Sequence, residues 1–322
     1  MSTTLVRFRL PVIAAAGLIA LAGCAAQPHD GMSPTPTVST ASVPAVYRAR
    51  KDELEPDITV PAISAKYLND RNRRQWVDYN GPEPVGTIVI DPYARFAYHI
   101  KEPGRAMRMG VAVGKAGKGF SGTATIRRKE VYPSWTPTNN MIRTDPDLYG
   151  PLAGGLKGGL ENPLGARALY LYKNGRDTYY RLHGTMDPSS IGKATSAGCI
   201  RFFNQDIMDM FDETEIGTKV KVRTLAESLE YEGPVTQLHS GYVVSSSNTA
   251  AIEADAKAWD EGKIEDPAIS DAEAHDRAVA AAKAQAAGED PVAAAEAAEE
   301  ADAQIYPATT TEAERDAALS GN

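Results

Sequence analysis

The chain has 322 residues, a net charge of −8 and only two cysteines, Cys24 and Cys199. Two cysteines exclude a disulfide-stapled scaffold and a cysteine-based zinc set. The charge is uneven, because the residues from 251 onward carry 18 acidic and 5 basic side chains. The acidity therefore belongs to the C-terminal end. The remaining, mildly basic body suits a partner that carries carboxylates, without identifying that partner.

The N-terminus has the features of a secretory signal. Arg7 and Arg9 precede an apolar run of about ten residues, which is too short to span a bilayer as a helix. The run ends in Leu-Ala-Gly-Cys24, which resembles the lipobox of bacterial lipoproteins. Residues 1–24 are therefore predicted to be a lipoprotein signal peptide with lipid on Cys24, and a plain signal peptide is the alternative. Ala25 after the cysteine favours a periplasm-facing outer-membrane lipoprotein over an inner-membrane one.

Residues 25–84 are predicted to be a tether followed by an N-terminal extension. The first part, to about residue 42, is rich in Pro, Ser, Thr and Ala and cannot bury enough apolar surface to order itself. The second part contains a candidate short helix over residues 63–76 and is expected to pack against the body.

The body, residues 85–225, has the pattern of a mainly β domain with few short helices. Asn174-Gly175 is a two-residue turn signal between two of its strand-like segments. Asn204 is a natural N-cap for a helix, and residues 218–222 alternate as a half-buried strand does. The predicted strands are 86–91, 94–100, 107–113, 123–131, 168–172, 178–182 and 218–222.

The C-terminal tail, residues 226–322, changes character. Residues 231–249 are polar and ambiguous. Residues 251–304 are rich in Ala and Glu and have no broad apolar stripe, so we expect an isolated helix or disorder there. The sequence leaves open whether this acidic tail is a spacer or binds a partner.

Cys199 is the candidate nucleophile, because lipid attachment would leave it as the one thiol of the mature chain. His183 lies 16 positions upstream at the end of a predicted strand and could act as the general base, or as a cation that lowers the thiol pKa. Small residues before the thiol allow the backbone N–H groups of Gly198 and Cys199 to form an oxyanion hole. Arg201 should point to the same side as the thiol and suits a substrate carboxylate. The combination indicates nucleophilic acyl transfer.

Other site classes have little support in the sequence. There is no HExxH, no CxxC and no P-loop, so no metal and no cofactor are expected. The segment 117–122 matches GxGxxG, but a strand pattern and not a helix follows it. No nucleic-acid partner is expected.

The motifs together resemble the YkuD family, the L,D-transpeptidase catalytic domain, over roughly residues 86–223. The family pattern is a His-Gly pair, a gap, and Ser-x-Gly-Cys followed by an apolar residue and Arg or Asn. Here it is matched by His183-Gly184 and by Ser196-Ala-Gly-Cys199-Ile-Arg201. The segments around Trp135 and Asn162 also resemble the family. Many members have histidine where this chain has Ala197.

The resemblance implies a β-sandwich-like fold and a role for each matching residue. Cys199 would be the nucleophile, His183 the base, and the Gly184 carbonyl would orient the imidazole. Gly198 would help hold the oxyanion. The residues expected to contact substrate are Arg201, Ser196, Asn204 and Trp135.

The implied reaction removes the terminal D-Ala of a peptidoglycan tetrapeptide stem and transfers the acyl group to an amine of a second stem, giving 3–3 cross-links. Three alternatives remain open on the same residues: attachment of an envelope protein, with an outer-membrane protein as acceptor; an L,D-carboxypeptidase; and a non-catalytic wall-binding lipoprotein. The expected partners are donor and acceptor stem peptides, and the membrane through the lipid anchor.

Overall fold

The structure is a computed structural model. It describes residues 43–114, 120–144, 146–196, 199–264, 279–280, 282–290, 293–294 and 297. The predictions for the signal peptide, for Cys24, for the tether to residue 42, for Ala197 and Gly198, and for most of the tail beyond residue 264 lie outside the described residues.

The regular secondary structure of the described residues is mainly β-strand with few short helices, so the predicted fold class is confirmed. The helices are α1 (Asn139–Thr144), α2 (Pro146–Tyr149), α3 (Asn204–Glu213), α4 (Leu225–Tyr231) and α5 (Thr249–Asp260). The strands are β1 (Arg50–Lys51), β2 (Thr59–Val60), β3 (Gln75–Asp78), β4 (Ile88–Asp91), β5 (Phe96–Glu102), β6 (Arg105–Gly110), β7 (Val113–Gly114), β8 (Gly122–Val131), β9 (Arg167–Lys173), β10 (Arg176–His183), β11 (Ala194–Ser196), β12 (Ile200–Arg201), β13 (Lys219–Val222), β14 (Val235–Gln237) and β15 (Val243–Ser245).

Nine strands form one mixed sheet in the order β12-β10-β9-β8-β13-β4-β5-β6-β3. The sheet curves around its own core, because residues from both halves of this order share one apolar cluster with α3. Ala112 and Arg201 exchange backbone hydrogen bonds of 2.9 Å in both directions, which joins the segment after β6 to β12. The result is a sandwich-like enclosure, and the candidate nucleophile lies at the β12 end of the sheet.

The β9–β10 hairpin forms where the Asn-Gly turn predicts it. Asn174 and Gly175 both have positive φ, as a tight two-residue hairpin turn requires. The helix predicted at Asn204 also forms. However, Phe203 is its N-cap residue, and the Asn204 side chain makes no cap hydrogen bond.

The N-terminal extension packs against the body, as expected. The Tyr47 hydroxyl donates to Asp206 of α3 at 3.1 Å. Asp52 forms a bidentate ion pair with Arg167 at 2.6 and 2.8 Å, and both side chains are almost fully buried. Asn72 donates from Nδ2 to the Ile191 carbonyl at 3.0 Å. The extension therefore contacts β9, α3 and the loop at Ile191 directly.

The helix expected in the Ala-rich segment from residue 251 onward forms, but it is not isolated, and the segment 231–249, which the sequence leaves ambiguous, is folded as well. Here α4, β14, β15 and α5 fold onto the body. Asp255 of α5 is completely buried, and its carboxylate accepts hydrogen bonds from the backbone N–H groups of His239 (2.7 Å) and Ser240 (3.4 Å). The sequence pattern missed this docking because it depends on one buried carboxylate and on a small apolar cluster to which α5 contributes only Ala251 and Ile252, too few residues to form an apolar stripe.

A long excursion, residues 132–166, connects β8 to β9 and contains α1 and α2. Helical residues 279–287, apart from 281, pack against it. The contact is an apolar group that we call the excursion cluster, consisting of Trp135, Leu152, Leu156, Met186, Val279 and Ala282. Gln285 adds a polar contact by accepting a hydrogen bond from the Lys157 backbone N–H at 2.9 Å. Within the described residues, no helix is both long enough and apolar enough to cross a membrane.

Candidate active site

Two short parallel segments bring the predicted residues together. Leu182 of β10 pairs with Ile200 of β12, and His183 pairs with Arg201. Leu182 and Ile200 point into the core. Because side chains alternate along a strand, the neighbours on either side point to the opposite face. That face therefore carries Arg181, His183 and Arg201, and Cys199, just before β12, lies within reach of the Arg181 and Arg201 charges.

His183 is held as a neutral base. Its Nδ1 lies 2.6 Å from the Gly184 carbonyl, and since a carbonyl only accepts, Nδ1 carries the proton. Nε2 is then the nitrogen with a lone pair. Burial, aided by the charges of Arg201 and Arg181, lowers the imidazole pKa to about 3. At neutral pH the ring is thus an uncharged proton acceptor.

Asn204 fixes the backbone that holds this ring. Its Oδ1 accepts hydrogen bonds from the N–H groups of Ala166 (3.0 Å) and Thr185 (3.2 Å), and its Nδ2 donates to the Thr185 carbonyl (2.9 Å). A Cβ on Gly184 would lie 2.1 Å from Oδ1, so only glycine fits there. Asn204 is 7% exposed and its side chain is bonded to backbone, which gives it a positioning role; its expected contact with substrate stays a prediction.

The Cys199 thiol is half-buried beside β10. Its Sγ lies 4.0 Å from the Tyr179 carbonyl, the acceptor for the thiol proton. Burial raises the pKa of the thiol above its ordinary value, and the Arg181 backbone N–H, with the Arg181 and Arg201 charges, partly opposes that rise. The resting pair is thus a neutral thiol and a neutral imidazole. These shifts favour a neutral pair over a cationic His183 beside a thiolate.

The remaining predicted residues are placed as follows. Arg201 is half-buried and its backbone is fixed to Ala112. Ser196 pairs through its backbone with Gly114 of β7, and its side chain lies outside the described part. Trp135 is half-buried in the excursion cluster and exchanges backbone hydrogen bonds with Leu156. Gly198, the expected oxyanion donor, lies outside the described residues.

Two features of the site were not predicted from the sequence. Arg181 was not predicted as part of the site, although its position two residues before His183 on a strand is a signal that could have found it. The second feature is a pair of side chains that hold the loop before the nucleophile, and no pattern in the sequence indicates it. Asn72 holds the Ile191 carbonyl, and Arg95 donates to the Gly192 carbonyl at 3.1 Å. Among the described residues, no group of three or more His, Cys, Asp or Glu side chains could hold a metal ion.

Comparison with known proteins decides the family. The family model for the L,D-transpeptidase catalytic domain, YkuD, matches residues 86–222. The Fuscovulum blasticum protein named "Putative L,D-transpeptidase in ATP synthase subunits region ORF 5" is 39% identical over 167 residues, covering 50% of this chain and 82% of that protein. This chain belongs to the L,D-transpeptidase family.

Other relatives cover less of their own length. "Probable L,D-transpeptidase YbiS" of Escherichia coli K12 is 32% identical over 138 residues, which is 42% of this chain and 44% of that L,D-transpeptidase. The chain thus spans less than half the length of that relative. A crystal structure described as a probable carnitine operon oxidoreductase from Brucella melitensis is 46% identical and covers 50% of this chain and 98% of its own, with a TM-score of 0.34.

Proposed function

We propose that this protein is a peptidoglycan L,D-transpeptidase whose nucleophile is Cys199. It removes the terminal D-Ala from a tetrapeptide stem and transfers the acyl group to an amine of a second stem, forming 3–3 cross-links. The observation that carries the proposal is the shared face of β10 and β12. There a neutral imidazole, a lone thiol and two arginines meet at the end of the sheet.

The reaction needs a base that is uncharged at the start, and His183 is such a base. As Sγ of Cys199 attacks the carbonyl of the third stem residue, Nε2 of His183 takes the thiol proton. The imidazolium then gives this proton to the departing amine of D-Ala, leaving a thioester. An acceptor amine attacks the thioester and passes a proton to His183, and collapse of this second adduct returns the proton to sulfur. The Gly184 carbonyl holds the ring in one tautomer throughout.

The charges of the site fit an anionic donor. Stem peptides end in a carboxylate, and Cys199 lies within reach of the Arg181 and Arg201 charges. The Arg181 guanidinium donates two hydrogen bonds, of 2.7 and 2.9 Å, to the Asp177 carboxylate. We assign donor-carboxylate binding to Arg201, which lies two residues after the nucleophile and whose planar guanidinium suits two-point contact.

The proposed setting is the periplasmic side of the envelope. A lipid anchor on Cys24 would tether the enzyme to the outer membrane, within reach of stem peptides and of outer-membrane proteins. This anchor rests on the Leu-Ala-Gly-Cys24 motif alone. It is tested by the mass of the N-terminal peptide of the native protein, which should carry acyl chains.

The activity is tested with a soluble form beginning at Ala25 and a purified disaccharide-tetrapeptide. Loss of D-Ala with a dimeric product supports the proposal, and tripeptide monomer alone would show hydrolysis instead of transfer. Cys199→Ala should form no covalent adduct with a carbapenem and should keep its thermal midpoint within a few degrees, because exchanging one small side chain costs little. A wild-type sample that forms no adduct and turns over no muropeptide would overturn the proposal.

A further inference from the structure

An irregular segment of β10 lies next to the thiol. The pairing of β10 with β9 shifts between Asp177, which faces Tyr172, and Arg181, which faces Tyr170. Four residue steps of β10 therefore face two of β9, so the segment is a bulge. We refer to residues 177–181 as the bulge. Tyr179 within it has φ 63°, a left-handed conformation that is costly for a residue with a side chain.

Side chains of the bulge hold this conformation in place. The Asp177 carboxylate accepts a hydrogen bond from the Tyr179 N–H at 2.8 Å and also binds the Arg181 guanidinium through both oxygens. The Thr178 hydroxyl donates to the Leu171 carbonyl at 2.6 Å and accepts from the Tyr180 N–H at 3.2 Å. These contacts replace the ladder hydrogen bonds that the bulge loses.

The backbone of the bulge faces the sulfur. Within the described residues, pairing of β10 with β12 covers only Leu182 and His183, so the part of β10 before Leu182 runs beside Cys199. The Tyr179 carbonyl is 4.0 Å from Sγ and accepts its proton. The Arg181 N–H is the backbone donor that lowers the thiol pKa. Each protonation state of the sulfur thus has a backbone partner in the bulge.

We propose that the bulge is the positioning element of the nucleophile. The Tyr179 carbonyl holds the thiol proton before attack, and the Arg181 N–H stabilises the negative charge on sulfur as His183 removes that proton. This role rests on the proposed function only in naming Cys199 as the nucleophile. The charged groups that act on the sulfur are Arg181 and Arg201, which favour the thiolate, and Asp177, which opposes it. The Tyr179 ring itself is 76% exposed and is not required for the effect.

The Thr178 hydroxyl allows a test without a change of charge. Thr178→Val keeps the size and β-branching of the side chain but removes both hydrogen bonds of the hydroxyl. Thr178→Ser keeps the hydroxyl and is the matched control. Arg176→Ala is a second control, because Arg176 is exposed beside the bulge. The readout is the pH dependence of alkylation by iodoacetamide in the form beginning at Ala25, whose one thiol is Cys199. Turnover of disaccharide-tetrapeptide and urea unfolding are measured in parallel.

Thr178→Val should raise the apparent thiol pKa and reduce alkylation at pH 7 about tenfold, the effect of weakening one hydrogen bond to a charged group. Thr178→Ser and Arg176→Ala should stay within about twofold of wild type on the same basis. Unchanged alkylation in Thr178→Val overturns the proposal. So does a slower rate with an unchanged thiol pKa, or an equal loss in Thr178→Ser. If wild type turns over no muropeptide while Thr178→Val still shifts the thiol pKa, the bulge proposal stands and the proposed function fails.

Discussion

Replacing Asn204 should weaken the fold and the active site together. Asn204→Ala removes three hydrogen bonds, to the N–H groups of Ala166 and Thr185 and to the Thr185 carbonyl. At roughly 1 kcal/mol each, the loss is about 3 kcal/mol of unfolding free energy. Both residues that lose a partner are buried, so water does not replace the missing bonds. The backbone of Gly184, which orients His183, also loses its support.

The assay combines urea unfolding with the rate of carbapenem acylation at Cys199. Asn204→Asp is an informative second variant, because it keeps an oxygen for the two N–H groups but loses the donor and repels the Thr185 carbonyl. We expect its stability to lie between wild type and Asn204→Ala. The exposed Asn80 supplies the matched control in Asn80→Ala, which should change neither quantity. The reasoning is refuted if Asn204→Ala loses less than about 1 kcal/mol and acylates at the wild-type rate.

Three further outcomes are expected. Because the folded pKa of His183 is about 3 against 6.5 unfolded, its contribution to stability is complete above pH 6.5 and is lost as pH falls towards 3; His183→Gln should flatten that part of a pH–Tm curve. Ala282→Asp should speed proteolysis of the excursion severalfold, whereas Ala286→Asp, on the exposed side of the same helix, should not; equal rates would contradict the excursion contact. Asp52→Ala should cost about 3–5 kcal/mol in urea unfolding, because it leaves Arg167 buried without its carboxylate; a cost below about 1 kcal/mol would contradict this.

Local signals in the sequence predict the parts of the fold that local signals control. The Asn174-Gly175 turn places the β9–β10 hairpin, and with it the strand end that carries His183. The separation of 16 residues between His183 and Cys199 then predicts that the thiol and the base belong to the same site. The bulge at Tyr179 was not predictable, because its left-handed backbone depends on the Asp177 and Thr178 side chains accepting from particular N–H groups.

Long-range polar contacts account for the rest of what the sequence did not predict. Nothing local indicates that Asn204 reaches the Thr185 backbone, since the residue reads equally well as a helix cap. The docking of α5 through Asp255 is similar, because an isolated carboxylate in an Ala-rich segment is typical of a solvated helix. Charge complementarity between distant segments has no periodicity from which it could be inferred.

The hydrogen bonds that hold residues 191–192 come partly from outside the segment that matches the family model, so that segment alone is not a complete structural unit. Asn72, before the family match begins, holds the Ile191 carbonyl, and Arg95 joins the Gly192 carbonyl to the Gly241 carbonyl, which lies after the match ends. Tyr242 lies so close that a Cβ on Gly192 would meet its ring at 2.8 Å. A recombinant fragment cut at residues 86 and 222 would therefore keep the Cys-His pair but release the loop that leads to the cysteine. For the same reason, flanking segments should not be exchangeable between relatives unless their contacts with this loop are exchanged as well.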